Sequence, residues 1–535
     1  LQCSKPCRRQ RRGPASHPVE RVDRRPFARH ERAIDRARHG EPVLSGVPIP
    51  RGELCNAEHA RLLDGRGNEM ACAITSTGIW PDGSVKWLLL DFSADVPAAG
   101  EAAYVLEYGN DVQPAGTAQD GGADRDAAEV VSQAAGSLRA HMGPAEFAFS
   151  PADGTPFAVY LAGADTPALT MDGTTVDANG RRWTMAADAA ATVELEESTP
   201  FRLVVRLRGR FSNTDGPGPI AFDHRIHLYR GRPEALLEYG FFATADEPTI
   251  ELRRITVRLA GPLAGATARF SPAEGQDITA SVADAPRLLQ TGESAYGNAG
   301  SFPYEVNTAA GASLGAGQKA AGVLSLTGPS SLSVTLPHFW EQFPKAIGCD
   351  EGGVDIDLWP DAPGVAPFVA HAGSGKSHRI GISLAGGQPP DRLLQPLMAV
   401  ASPEWYCASG AFEEMVPRRE GRYPEYEAIV DAAFEGTMGE GNLQHLYDLW
   451  LFQGRALVLQ QPREELDKYL DVPAFARGDL GAEPVVGALV GEQRRGVHDV
   501  AVVEGDGDAE QDGEQQDQDE SGSPWQTKSR NVLHP

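Results

Sequence analysis

From residue 201 the chain reads Phe-Arg-Leu-Val-Val-Arg-Leu-Arg-Gly-Arg-Phe. Phe201, Leu203, Val205 and Leu207 fall on one side of an extended backbone, and Arg202, Arg206, Arg208 and Arg210 on the other. A period of two has one simple solution, a β-strand with one face in a core and one face turned outward. The run at 222–242 repeats the pattern. There Ile226 and Leu228 share a side with His224, while Arg225, His227 and Tyr229 project together from the opposite side. Such short alternating runs, separated by Gly, Pro and Asp clusters, continue from about 130 to 400, and 59 Gly and 40 Pro supply the turns. The fold class expected is therefore mainly β, with a large central β-sandwich over 129–400.

A chain of 535 residues exceeds what one core organises, so several units are expected. Residues 41–108 read as a separate all-β unit, because Asp82-Gly83 sits between two strand-like runs and glycine accepts the positive φ of a tight hairpin turn. Residues 109–128 hold almost no large apolar group and read as a linker. After 402 the spacing of Tyr, Leu, Ala and Trp turns helical over 424–435 and 441–460, and it stops before a Gly, Glu, Gln and Asp tract.

The net charge of −26 is uneven. Residues 1–40 carry 12 Lys and Arg against 4 Asp and Glu, and residues 501–520 carry nine acids and no base. Like-charged tracts of this kind cannot bury enough apolar surface to order themselves, so 1–40 reads as a disordered basic tail and 477–535 as a disordered acidic one. The basic arm lacks interleaved aromatics, which speaks against nucleic acid as a partner. No window is apolar enough for a membrane span or a signal peptide, and localisation stays unknown. The six cysteines make no paired Cys-x-x-Cys, and no ligand-loop spacing surrounds Asp350, Glu351, Asp355 and Asp357, so neither a metal nor another cofactor is expected. Those acids read as loop and strand-edge solvation. The stretch 371–378, His-Ala-Gly-Ser-Gly-Lys-Ser-His, lacks the first glycine of a phosphate loop and reads as a hairpin loop.

Residues 338–347, His-Phe-Trp-Glu-Gln-Phe-Pro-Lys-Ala-Ile, gather aromatics, both charges and amide groups. As a strand they would put His338, Trp340 and Gln342 on one face and Phe339, Glu341, Phe343 and Lys345 on the other, so neither face is cleanly apolar. An aromatic beside donors and a cation suits a sugar, whose apolar ring face stacks while its hydroxyls and carboxylate take hydrogen bonds. The other account is an edge strand covered by another domain.

The blocks at 47–54, 80–92, 225–239, 338–347, 358–360 and 402–412 together make the chain resemble the exo-rhamnogalacturonan lyase and YetA-like family, in consistent order over roughly 43–415. The resemblance implies an N-terminal RIFT-type β-barrel at 41–108, the central β-sandwich, and a C-terminal α/α toroid of which only 401–476 is present. It also implies cleavage of an acidic polysaccharide by β-elimination. That chemistry needs a base for the proton on carbon 5 and a group that neutralises the uronate carboxylate. The candidates are His227, Tyr229 and His338 as catalytic groups, and Arg225, Trp340, Gln342 and Lys345 as substrate-binding groups. The expected partner is an acidic polysaccharide or oligosaccharide, with a non-catalytic carbohydrate-binding protein as the alternative.

Overall fold

The structure, a computed structural model, describes residues 15–23, 37–98, 101–115 save 110, 131–161 save 135, 163–244, 248–272, 276–292, 301–384 save 329 and 330, 397–417 save 414, and 421–428. Strands dominate it. Residues 116–128 of the linker expected at 109–128, the helical pattern beyond 428 and the acidic tail lie outside the described residues.

The N-terminal unit is two antiparallel sheets over one core. In the smaller, strand Val85–Val96 lies between Arg38–Pro48 and Cys72–Ile79. The Asp82-Gly83 hairpin is formed as expected, with Gly83 at φ 84° and its N–H donating to Trp80 O at 2.8 Å. The larger sheet runs Met398–Val400, Ala15–Asp23, Ala102–Tyr108, Ala60–Asp64, Glu69–Met70. Two of its strands come from unexpected places. Ala15–Asp23 falls within the stretch read as a disordered arm, and Met398–Val400 within the stretch read as sandwich. Leu62, Leu88, Leu90 and Phe92 are fully buried between the sheets. The helix Pro403–Ala408, capped by Ser402 Oγ accepting from Trp405 N–H, closes against this core through Trp405, whose indole donates to Pro48 O at 2.9 Å.

From Val131 to Leu384 the strands pair into one sheet that folds back and closes, so two layers face each other across a single core. One layer carries Thr192–Ser198, Arg202–Asn213, Gly216–Tyr229, Glu234–Ala243, Gly375–Leu384 and Leu332–Thr335 in consecutive pairing. The other includes Leu169–Asp177, Thr249–Ala260, Gly353–Trp359, Lys345–Asp350 and Arg287–Gln290. The alternation expected at 201–229 holds at Leu203, Val205, Leu207, Ile226 and Leu228, which are fully buried while Arg225, His227 and Tyr229 share the other face; Phe201 is only half-buried, and Arg202, expected outward, is buried. Gly375 to His378 belong to a strand, and the turn before it spans 371–374, so the predicted hairpin loop is shorter than expected.

Polar groups are buried as well, among them two histidines in that core and an aspartate on the opposite sheet face. His224 stacks on Tyr239 at 3.9 Å, and burial pushes its pKa down to about 3. Burial, reinforced by Lys345 and Lys376, holds His378 well below the ordinary histidine range. Asp357 is not strand-edge solvation either. It is fully buried, and it accepts from Arg254 at 2.8 Å, Arg287 at 2.8 Å and Thr256 at 2.6 Å.

Candidate functional site

The outer face of the sandwich layer is built by cross-strand register. Arg206, Arg225, Glu238 and Arg379 lie in one row across four strands, and Val204, His227, Leu236 and Gly381 in the next. The neighbouring strand Thr192–Ser198 contributes Glu194, Glu196 and Glu197. Arg225 grips Glu196 through both Nε and Nη2, the second contact being 2.6 Å. Arg206 holds Asp223 at 2.9 and 2.6 Å, and Arg208 reaches Glu194 at 3.3 Å. Burial pushes the Asp223 carboxyl up, but the hydrogen bond and charge of Arg206, with Arg225 behind, outweigh it and leave the group below its usual range. Arginines committed in this way have few donors left for a substrate carboxylate. The expectation that Arg225 binds substrate therefore meets an occupied side chain. Arg379 stands opposite Glu238 and is exposed, and it is the cation of this row with no ion pair among the described residues.

His227 is half-buried between two charged groups. Its Nδ1 lies 3.1 Å from Arg202 Nη1, and its Nε2 lies 3.7 Å from Glu238 Oε1 and is closed to solvent. Burial raises the pKa of Glu238, yet the facing His227 imidazole, with the charges of Arg379 and Arg225, holds it below the usual carboxylate range. Neither ring nitrogen is offered to a ligand in this arrangement, so direct proton abstraction by His227 lacks a path. Tyr229 stands opposite Arg202 on the same face, at the edge nearest the N-terminal unit.

That edge is a seam. Asp91, from the small sheet of the N-terminal unit, accepts from Arg202 Nε at 2.9 Å and from Thr199 Oγ1 at 2.9 Å. Burial pushes the Asp91 carboxyl up, with Arg202 and Thr199 opposing. Arg232 adds donation to the carbonyl oxygens of His39 and Gly40 across the same junction.

The stretch 338–347 departs from the strand expected. Residues 337–342 form consecutive turns, His338 has φ 58°, Gln342 N–H donates to His338 O at 3.1 Å, and the next strand begins only at Lys345. Alternation of faces therefore does not apply. Phe339 enters the core, and Lys345 does too, on the same side of its strand as Ile347 and Cys349. Lys345 is 1% exposed, and its ammonium lies 3.5 Å from Leu358 O. Lys345 is not placed to meet a polysaccharide, which corrects the role expected for it. Gln342 likewise keeps its side-chain oxygen buried.

What the turn does present is Trp340, half-buried, with Phe302 at 4.9 Å edge to face and the Lys319 ammonium 4.5 Å above its ring. Phe343 packs on Phe302 at 5.6 Å. His338 is open to solvent and has Glu341 at 4.0 Å. Lys319 has φ 58° and is pinned by its N–H to Phe302 O at 2.9 Å. Sequence reading missed Lys319, Glu238 and Arg379. Each is brought to its place by strand register or chain reversal, and the one local cue was the Gly-rich run before Lys319.

His227, Tyr229 and Arg225 are thus brought together on the sheet face, and His338 and Trp340 on the turn. Lys345 lies on the core side of the sheets, opposite to the face that carries Arg225. No group of metal-ligating residues occurs among the described residues, and none of their helices is long and apolar enough to cross a membrane.

Comparison with known proteins bears mainly on the N-terminal unit. No curated protein sequence matches the chain. Among solved structures, a glycosyl hydrolase family 38 protein from Enterococcus faecalis is similar at TM-score 0.41 and 10% identity, over 76% of this chain and 50% of that one. An α-mannosidase from the same organism is similar at TM-score 0.36 and 10% identity, over 70% of this chain and 44% of that one, so the chain spans about half the length of either. A galactose mutarotase related enzyme from Lactobacillus acidophilus is similar at TM-score 0.27 and 11% identity, over 47% of this chain and 98% of that one. Residues 33–107, which hold most of the N-terminal sheets, match the family described as the PcRGLX-like N-terminal RIFT barrel domain.

Proposed function

We propose that the chain is a polysaccharide lyase-like protein acting on uronate-containing, rhamnogalacturonan-type polysaccharide by β-elimination, and that the Trp340 turn receives the saccharide. The RIFT-barrel match at 33–107 supports the kinship. The observation that carries the site is the Lys319 ammonium 4.5 Å over Trp340, with no carboxylate partner for it among the described residues. A pyranose stacked beside that ring would bring its carboxylate to a cation and its hydroxyls to the exposed His338. Of the three expected catalytic groups, His338 is the one on the same turn and open to solvent. As base it would take the carbon-5 proton. The electron pair of that C–H bond then forms the 4,5 double bond, and the carbon 4–oxygen bond breaks, its oxygen leaving with a proton from water. Lys319 would offset the charge that develops on the carboxylate.

A non-catalytic carbohydrate-binding role is the second reading, and the self-neutralised sheet face favours it, because no second acid–base pair is assembled there. Incubation with rhamnogalacturonan separates the two. Rising absorbance from unsaturated uronate, lost in His338→Ala, supports the lyase. Oligosaccharide binding with a flat trace supports the binding protein, and absence of both rejects the site.

A further inference from the structure

Arg202 is 5% exposed and sits where the two β-units meet. Its guanidinium serves three neighbours at once: Asp91 Oδ2 from Nε at 2.9 Å, Glu197 Oε2 from Nη2 at 2.7 Å, and His227 Nδ1 from Nη1 at 3.1 Å. Arginine has donors and no acceptor, so the imidazole nitrogen facing it must carry the lone pair. A neutral His227 then bears its proton on Nε2, which faces Glu238 Oε1 at 3.7 Å. Three carboxylates contact this ring or its arginine: Asp91 and Glu197 on Arg202, and Glu238 beside His227 Nε2. Only Asp91 comes from the N-terminal unit, and it is buried and further held by Thr199.

We infer that Asp91 is a positioning residue for His227, working through Arg202, so that the N-terminal barrel sets which nitrogen of a sandwich histidine carries the proton. Two consequences follow from the chemistry. His227 carries its proton on Nε2 and is not the base. The barrel is part of the sheet-face site and not an appended module, since removing its carboxylate frees the guanidinium to swing away from Nδ1. This holds whatever the saccharide reading, because it concerns a ring that the Trp340 turn does not contain.

Long-range nitrogen–proton correlation NMR of histidine-labelled full chain tests it, with the His227 signal assigned by its loss in His227→Gln. The wild type is expected to show a protonated Nε2 and a bare Nδ1 at neutral pH, and Asp91→Asn a mixture of tautomers while the other imidazole signals stay in place. A wild-type ring protonated on Nδ1, or a ring in Asp91→Asn unchanged from wild type, overturns the inference. Should Asp91→Asn fail to fold, Glu238→Gln decides. Retention of the Nε2–H form there places control on the Arg202 side, and a switch to Nδ1–H removes it. A thermal melt of each variant separates these outcomes from loss of fold.

Discussion

The outer sheet face around Arg225 and the turn around Trp340 both looked like sugar sites, and they differ in one respect, the fate of their cations. On the sheet face Arg202, Arg206, Arg208 and Arg225 each meet a carboxylate from another strand of the sheet or from the barrel. On the turn, Lys319 meets an aromatic ring. A cation paired with carboxylates is spent on the fold, while one resting on a π-face keeps its charge for a ligand. Counting basic residues along one strand therefore says little about what a surface binds. The adjacent strand decides.

The largest effect expected lies at the seam. Arg202→Ala leaves the buried Asp91 without its guanidinium partner, and breaking such a pair costs about 3 kcal/mol. Chemical denaturation should show it, and an unchanged midpoint would mean that the sheet-face cations are not structural.

Acidification sharpens the contrast next. His224 and His378 are held neutral, with folded pKa values depressed below the unfolded value near 6.5. The unfolded chain therefore takes up protons that the folded one refuses, so stability is full above that pH and falls as pH drops through it. Two such groups cost roughly 2–3 kcal/mol per pH unit below it, read as falling denaturation midpoints from pH 7 to pH 5. Binding at the turn uses neither of these two buried histidines, so affinity of the still-folded fraction should not follow their titration.

Smaller is Trp340→Ala, which should weaken oligogalacturonate affinity by about 1–2 kcal/mol in calorimetry with little change in melting. Lys319→Ala should cost about 0.5–1 kcal/mol of the same affinity. Arg208→Ala should be silent in binding and shift stability by less than about 1 kcal/mol, because its pair with Glu194 is half exposed. If Arg208→Ala abolished binding while Trp340→Ala did not, the two regions would have to exchange roles.

Much of the scaffold was legible because it is written in local patterns. Alternation marks Leu203 to Leu207 as one face, and Asp82-Gly83 marks a hairpin whose turn needs positive φ. The charge balance of the sheet face was not legible. Glu194, Glu196 and Glu197 become neighbours of the arginines only through a register that shifts between Leu195 and Glu197, and no local spacing reveals a shift of that kind. The 338–347 stretch failed for a related reason. Its rings carry high strand propensity, yet His338 sits at positive φ and the chain reverses there, so Phe339 goes inward from a turn and Lys345 from the strand that begins after it. Lys319 was invisible because its neighbour in space lies 21 residues away in sequence.

Strand Met398–Val400 hydrogen-bonds to Ala15–Asp23, and Trp405 seals the barrel at Pro48. On the ribosome, the first-made sheet must therefore wait until the whole sandwich has emerged before its edge is covered. Throughout that interval the early strands carry an open border, the stage at which a nascent chain of this design is most exposed to mispairing and most in need of a chaperone's shelter.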